Sequence, residues 1–114
     1  MAKYGNKKTV IDGIKFDSIA ESRRYIQLKH LEEIGEISHL RLQPRFDYFA
    51  ENTLTKAGKP SLLFLYKADF DYCTDDGKYI VEDVKSKFTD KLPVFNLKKK
   101  LIEDRHGVEI VEVR

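Results

Sequence analysis

The sequence predicts an α/β fold, a central mixed β-sheet flanked by helices, and three observations carry that expectation. Residues 18–34 read as a helix with both ends marked, Ser18 opening it and Gly35 stopping it. Residues 66–87 read as two strands, rich in Tyr, Phe, Ile and Val, joined by a turn at Asp75-Asp76-Gly77. After Lys85 the pattern runs helix then strand, and a strand–helix–strand crossover favours parallel pairing. The predicted order is hairpin, helix, strands, helix, strand.

Each element has its own signal. Residues 1–8 are polar and basic, with Lys3, Lys7 and Lys8 around Tyr4, Gly5 and Asn6. They are expected to form a flexible basic arm, either a tail or a contact to a phosphate backbone. Residues 9–16 read as a short hairpin turning at Asp12-Gly13, placed to cover an edge of the sheet. In the first helix, Ser18-Ile19-Ala20-Glu21 fits a capping box. Ile19, Ile26, Leu31 and Ile34 supply the expected apolar face, flanked by Tyr25 and Leu28.

Residues 37–42 begin a strand that Pro44 interrupts, and residues 45–50 resume it. Residues 51–61, with Asn52, Gly58, Lys59 and Pro60, read as a loop. Residues 62–72 read as one strand. Its continuous apolar start predicts burial on both faces and a central position. A second helix is expected from Pro93 to about Arg105, using Phe95, Leu97, Leu101 and Ile102 as core contacts. Gly107 ends it, and residues 108–113 alternate like a last strand.

The register of the 66–87 hairpin decides what its charged residues do. A three-residue loop at Asp75-Asp76-Gly77 sets Thr74 opposite Lys78, Asp69 opposite Asp83 and Lys67 opposite Lys85. Asp69, Asp83 and Lys85 then share a face. A two-residue Asp76-Gly77 turn instead sets Asp71 opposite Glu82 and separates Asp69 from Asp83; the three-residue loop is the preferred reading. Two adjacent carboxylates repel, and a divalent cation between them is a common remedy. Mg²⁺ takes hard oxygen ligands, often one or two carboxylates plus a substrate phosphate. A neighbouring lysine can orient water or stabilise charge on a phosphate. The bland alternative is a solvated strand face.

An Asp on one strand followed by (Asp/Glu)-x-Lys on the next resembles the PD-(D/E)XK nuclease superfamily. Here the pattern is Asp69, then Asp83-Val84-Lys85. Ala68 precedes Asp69 where the superfamily's name has Pro, a loosely kept position. The stretches KYGNKK, DGIKFDSIAESRRY, YKADFDY and VEDVKSK are similar to small phage-encoded Holliday junction resolvase-like endonucleases. The resemblance implies a restriction-endonuclease-like core and a Mg²⁺-dependent endodeoxyribonuclease, with Mn²⁺ as a substitute metal. Glu21, Asp69 and Asp83 would be both catalytic residues and metal ligands. The Val84 carbonyl would be a further ligand, and Lys85 would be catalytic. It also implies a branched DNA substrate and a homodimer, in the cytoplasm of a bacterial host.

Candidate nucleic-acid contacts are Lys7, Lys8, Arg23, Arg24, Arg41, Arg45, Lys87, Lys98 and Lys100. Each is also an ordinary solvated cation. Two rivals stand beside the resolvase reading: a nuclease of the same fold acting on duplex, flaps or ends, and a non-catalytic DNA-binding module.

Bulk properties narrow the field. At 114 residues one domain is expected, 41% hydrophobic and 35% charged, as in a globular protein. The net charge of +2 offers no global polycation argument for nucleic acid. A single cysteine, Cys73, allows no internal disulfide, and the three histidines are scattered. No apolar run is long enough to span a bilayer, so no membrane association is expected.

Overall fold

A computed structural model describes residues 8–85 and 93–114. The architecture is α/β, with a mixed sheet and two helices. Strands β1 (Thr9–Ile11) and β2 (Ile14–Phe16) form a small hairpin. It makes a separate two-stranded sheet that packs on the first helix and shares an apolar cluster with Ile37, Phe70 and Tyr72 of the main sheet. The reason is Phe16, which is buried against Tyr25 of that helix with ring centroids 5.1 Å apart.

Helix α1 (Ile19–Glu33) starts where its cap requires. The Ser18 hydroxyl accepts the Glu21 N–H at 3.1 Å, satisfying one of the unpaired donors of the first turn. At its other end Gly35 adopts φ +82°, and the Glu36 N–H reaches back to the Leu31 carbonyl, as in a Schellman motif. The buried face differs from the expected one. Ser22, Tyr25 and Leu28 are buried with Leu31 behind them, while Ile19, Ile26 and Ile34 are exposed. Spacing alone left two overlapping stripes, and the sheet selects the one containing Leu28.

The main sheet has the order β3-β6-β7-β8, from β3 (Ile37–Leu42), β6 (Phe70–Thr74), β7 (Tyr79–Val84) and β8 (Ile110–Val113). The β6–β7 register sets Phe70 opposite Glu82 and Cys73 opposite Tyr79. The Thr74 N–H bonds to the Lys78 carbonyl at 2.8 Å, closing the three-residue loop, with Gly77 at φ +87°. β8 pairs with β7 in parallel after the crossover through α2 (Pro93–His106).

Two expectations are corrected. The 62–72 segment is not one central strand: β5 (Pro60–Lys67) ends before Ala68, and β6 begins at Phe70. β5 pairs only with β4 (Arg45–Leu54), so Lys67 faces Arg45 rather than Lys85. The expected 51–61 loop shrinks to a short turn, because β4 continues to Leu54 and β5 resumes at Pro60. The two sheets nevertheless meet at a shared bend. There the Gln43 N–H bonds to the Asp69 carbonyl at 2.9 Å, and the Ala68 N–H to the Pro44 carbonyl at 3.0 Å. Pro44 cannot donate to a ladder, so the break falls beside it.

Two apolar clusters hold these layers together. Phe16, Tyr25, Leu28, Ile37, Phe70 and Tyr72 fill the α1 side. Phe46, Tyr66, Ala68, Val81, Ile102 and Ile110 fill the α2 side.

Candidate active site

The bend delivers Asp69. The β6–β7 ladder ends with Phe70 opposite Glu82, so Asp69, one residue before, lies just outside it. The Asp69 N–H bonds to the Glu82 carbonyl at 3.0 Å, while its Oδ2 accepts the Val84 N–H at 2.6 Å. Asp69 is therefore fixed by β7 at both its main chain and its side chain. Asp83 and Lys85 are two residues apart and so share a face at the end of β7, on the α2 side. Their side chains are 5% and 2% exposed, with Lys85 Nζ 3.7 Å from Asp83 Oδ2. The Lys85 N–H bonds to the Val113 carbonyl at 2.7 Å, so β8 fixes the lysine backbone.

Two aromatic residues that the sequence reading did not assign to the site complete this side. The Tyr66 hydroxyl donates to Asp83 Oδ2. Phe95 lies beneath Lys85, with Nζ 3.3 Å from its ring centroid. Both contacts join residues far apart in sequence, so no local pattern announces them.

Glu21 approaches from α1. With Asp69 it lines a cleft of ≈ 120 Å³ that also includes Lys15, Phe16 and Gln43. Burial, then Asp69, Asp17 and Asp83, push the Glu21 carboxyl up to about 7. Asp17 is a further acidic neighbour that the sequence reading passed over. Burial pushes Asp83 up to about 6, against the pull of Lys85. Burial also raises Asp69, opposed by the Val84 N–H and by Lys85. The Lys85 ammonium is lowered by burial, opposed by Asp83 and Glu112. Three carboxyls are thus held where ionisation costs energy, with one buried amine among them.

That electrostatic pattern fits a hard divalent cation, which would remove the mutual repulsion while accepting oxygen donors. The available donors are the carboxylates of Glu21, Asp69 and Asp83. Among the described residues, no three His, Cys, Asp or Glu side chains converge as a ready-made metal cage. A Mg²⁺-type site does not need three, since waters and a phosphate complete its shell.

The expected nucleic-acid contacts separate into groups. Lys7 and Lys87 lie outside the described residues. Lys8, Arg23 and Lys100 are exposed. Arg24 grips the buried Glu82 through Nε and Nη2 at 2.7 and 2.6 Å, and the Tyr72 hydroxyl joins the same carboxylate. Arg41 binds the buried Asp71, its Nε at 2.9 Å, with the Tyr79 hydroxyl at 2.6 Å. Arg45 pairs with Asp47 at 2.7 Å on the surface, and Lys98 lies 5.4 Å from the centroid of the Phe64 ring. Arg24 and Arg41 thus bind carboxylates that would otherwise be buried without a cation. Their positions in the sequence carried no sign of those partners.

No helix among the described residues is long and apolar enough to cross a membrane. The model of a family described as "Protein of unknown function (DUF1064)" matches residues 1–112. No curated protein and no solved structure matches the chain.

Proposed function

The chain belongs to the DUF1064 family, and from that starting point we propose that it is a Mg²⁺-dependent endodeoxyribonuclease that hydrolyses phosphodiesters in branched DNA. The observation that carries the proposal is the set of three carboxyls at Glu21, Asp69 and Asp83, all raised in pKa, beside the buried Lys85. Glu21 and Asp69 line the cleft, and titratable groups with shifted pKa gathered in this way are typical of sites that handle charge during a reaction.

Asp69 and Asp83 would hold the metal, with Glu21 completing the acidic side and the Val84 carbonyl available at the strand end. The bound cation would supply charge neutralisation at the phosphate and a more acidic water. The chain's own residues do the rest. Lys85, held by Asp83 and the Phe95 ring, presents an N–H to the attacking water or to a phosphate oxygen. Tyr66 fixes the orientation of Asp83 through its hydroxyl. Asp69 is kept in place by the Val84 N–H. The preference for branched DNA follows the sequence resemblance to resolvases. Among the described candidates, the exposed Lys8, Arg23 and Lys100 would meet a phosphate backbone.

The test is nicking of a synthetic four-way junction in Mg²⁺, beside a linear duplex and a flap. Paired symmetric nicks are expected from the wild type, and none from Asp83→Asn or Lys85→Ala. Cutting that survives both substitutions would sink the site assignment. Binding without cutting on every substrate would leave a DNA-binding module. Cutting of duplex and flap at the rate of the junction would remove the branched-DNA preference.

A further inference from the structure

The β4–β5 ribbon contains a contradiction between sequence and fold. Residues 62–66, Leu-Leu-Phe-Leu-Tyr, form an uninterrupted apolar run, the pattern of a strand buried on both faces. One face is covered. Phe46 pairs with Tyr66 and Tyr48 with Phe64, the last two rings stacked at 4.8 Å, and this face packs towards α2. Arg105 closes over Tyr48 and bonds to the Phe49 carbonyl.

The opposite face has no cover among the described residues. Asp47 pairs with Leu65, and Phe49 with Leu62, while Leu63 sits at the irregularity between them. Phe49, Leu62, Leu63 and Leu65 are 38%, 44%, 59% and 40% exposed, and Leu54 near the tip is 65% exposed. β4 and β5 pair only with each other, and a two-stranded ribbon with one open apolar face is marginal in water.

We infer that this outer face is the contact between two copies of the chain, joined ribbon to ribbon about a two-fold axis. The exposed part of Phe49, Leu62, Leu63 and Leu65 amounts to roughly 300 Å². A stable interface buries about 800 Å² per partner, a little over half of it apolar. The patch thus supplies most of the apolar core that one side of a dimer needs. A two-fold contact is self-complementary, so one patch serves both partners. Two ribbons stacked face to face form a small sandwich with about 10 Å between sheets, and β5 is then buried on both sides as its sequence demands. The patch is built mainly of leucine. Leucine suits a protein partner better than single-stranded nucleic acid, which takes aromatic platforms and cations.

The inference stands without the hydrolysis proposed above, because its readout is mass. The experiment is analytical ultracentrifugation of the full chain across a wide concentration range, in the absence of DNA. The wild type is expected at twice the 13.3 kDa of the single chain. The double variant Leu63→Lys, Leu65→Lys is expected to dimerise roughly a hundredfold more weakly. Its far-UV circular dichroism should be unchanged, because both residues are exposed. Leu63→Ser, a milder change, guards against a variant that fails to fold. The wild-type melting temperature should also rise with protein concentration, and that of Leu63→Ser should do so less.

A wild type that stays at 13.3 kDa throughout overturns the inference. A dimer that survives the double substitution overturns it as well, because the contact then lies elsewhere. A monomeric wild type whose double variant loses oligonucleotide binding would assign the ribbon to nucleic acid instead.

Discussion

Glu21→Gln should stabilise the metal-free protein at pH 8 while removing nicking activity. Glu21 titrates near 4.5 in an unfolded chain and at about 7 when folded. The folded state therefore binds that proton more tightly. This group's contribution to stability is fully present below pH 4.5 and is lost as the pH rises through 7. Taken at full value, the displacement corresponds to about 3 kcal/mol. The side chain is partly exposed, and solvent screening reduces this to about 1–2 kcal/mol. Glutamine resembles the protonated acid in shape and carries no charge to desolvate. The helix cap is untouched, because Ser18 accepts the backbone N–H of residue 21 and not its side chain.

Urea unfolding in EDTA measures the effect. The variant should match the wild type near pH 4 and exceed it by about 1–2 kcal/mol near pH 8, or roughly 4–8 °C in melting temperature. Mg²⁺ added at pH 8 should raise the wild type more than the variant. An equal gain at both pH values, or a loss at pH 8, would refute the claim that the carboxyl is held at a cost.

The remaining predictions concern the scaffold. Arg24→Leu leaves the Glu82 carboxylate buried with only the Tyr72 hydroxyl, and should cost about 3 kcal/mol in denaturant unfolding. Adding Glu82→Met to it should restore most of the loss; failure to do so would show that the arginine acts through packing instead. Ser18→Ala should cost about 1 kcal/mol by the same measurement, equally at pH 4 and pH 8, because a lost cap does not titrate. Leu28→Ala, at a fully buried position, should cost 2–5 kcal/mol, or about that range, in thermal or chemical unfolding.

What could be read from the sequence was what depends on neighbours along the chain. Ser18, Gly35 and Gly77 act through backbone geometry within a few residues, and each sits where its chemistry predicts. The Asp75-Asp76-Gly77 turn set the hairpin register, which runs from Cys73 opposite Tyr79 to Phe70 opposite Glu82. The parallel pairing of β8 followed from the crossover rule. What failed depends on partners distant in sequence. The helix stripe was misjudged because Leu28 and Ile26 are equally apolar, and only the sheet distinguishes them. The break at Ala68-Asp69 went unseen because its cause, Pro44, lies in the other strand. Arg24 and Arg41 read as free cations because Glu82 and Asp71 lie 58 and 30 residues away. For the same reason Tyr66 and Phe95 were counted as core or strand residues and not as supports for Asp83 and Lys85.

The hydrogen bond from Lys85 to Val113 has a bearing on how the protein is made. Synthesis proceeds from the N-terminus, and the hairpins through β7 are joined by short turns that close quickly. The strand that fixes the Lys85 main chain is translated after β7 and α2, and Phe95 comes from the helix just before it. A nascent chain can therefore assemble its acidic residues while their lysine is still unanchored. Chains ending at Gly107 should keep the β6–β7 hairpin yet leave Lys85 out of position, readable as fast amide exchange at residue 85. The position of Lys85 thus depends on β8: a chain cut before Ile110 keeps Asp69 and Asp83, and one that includes Val113 also holds the Lys85 main chain.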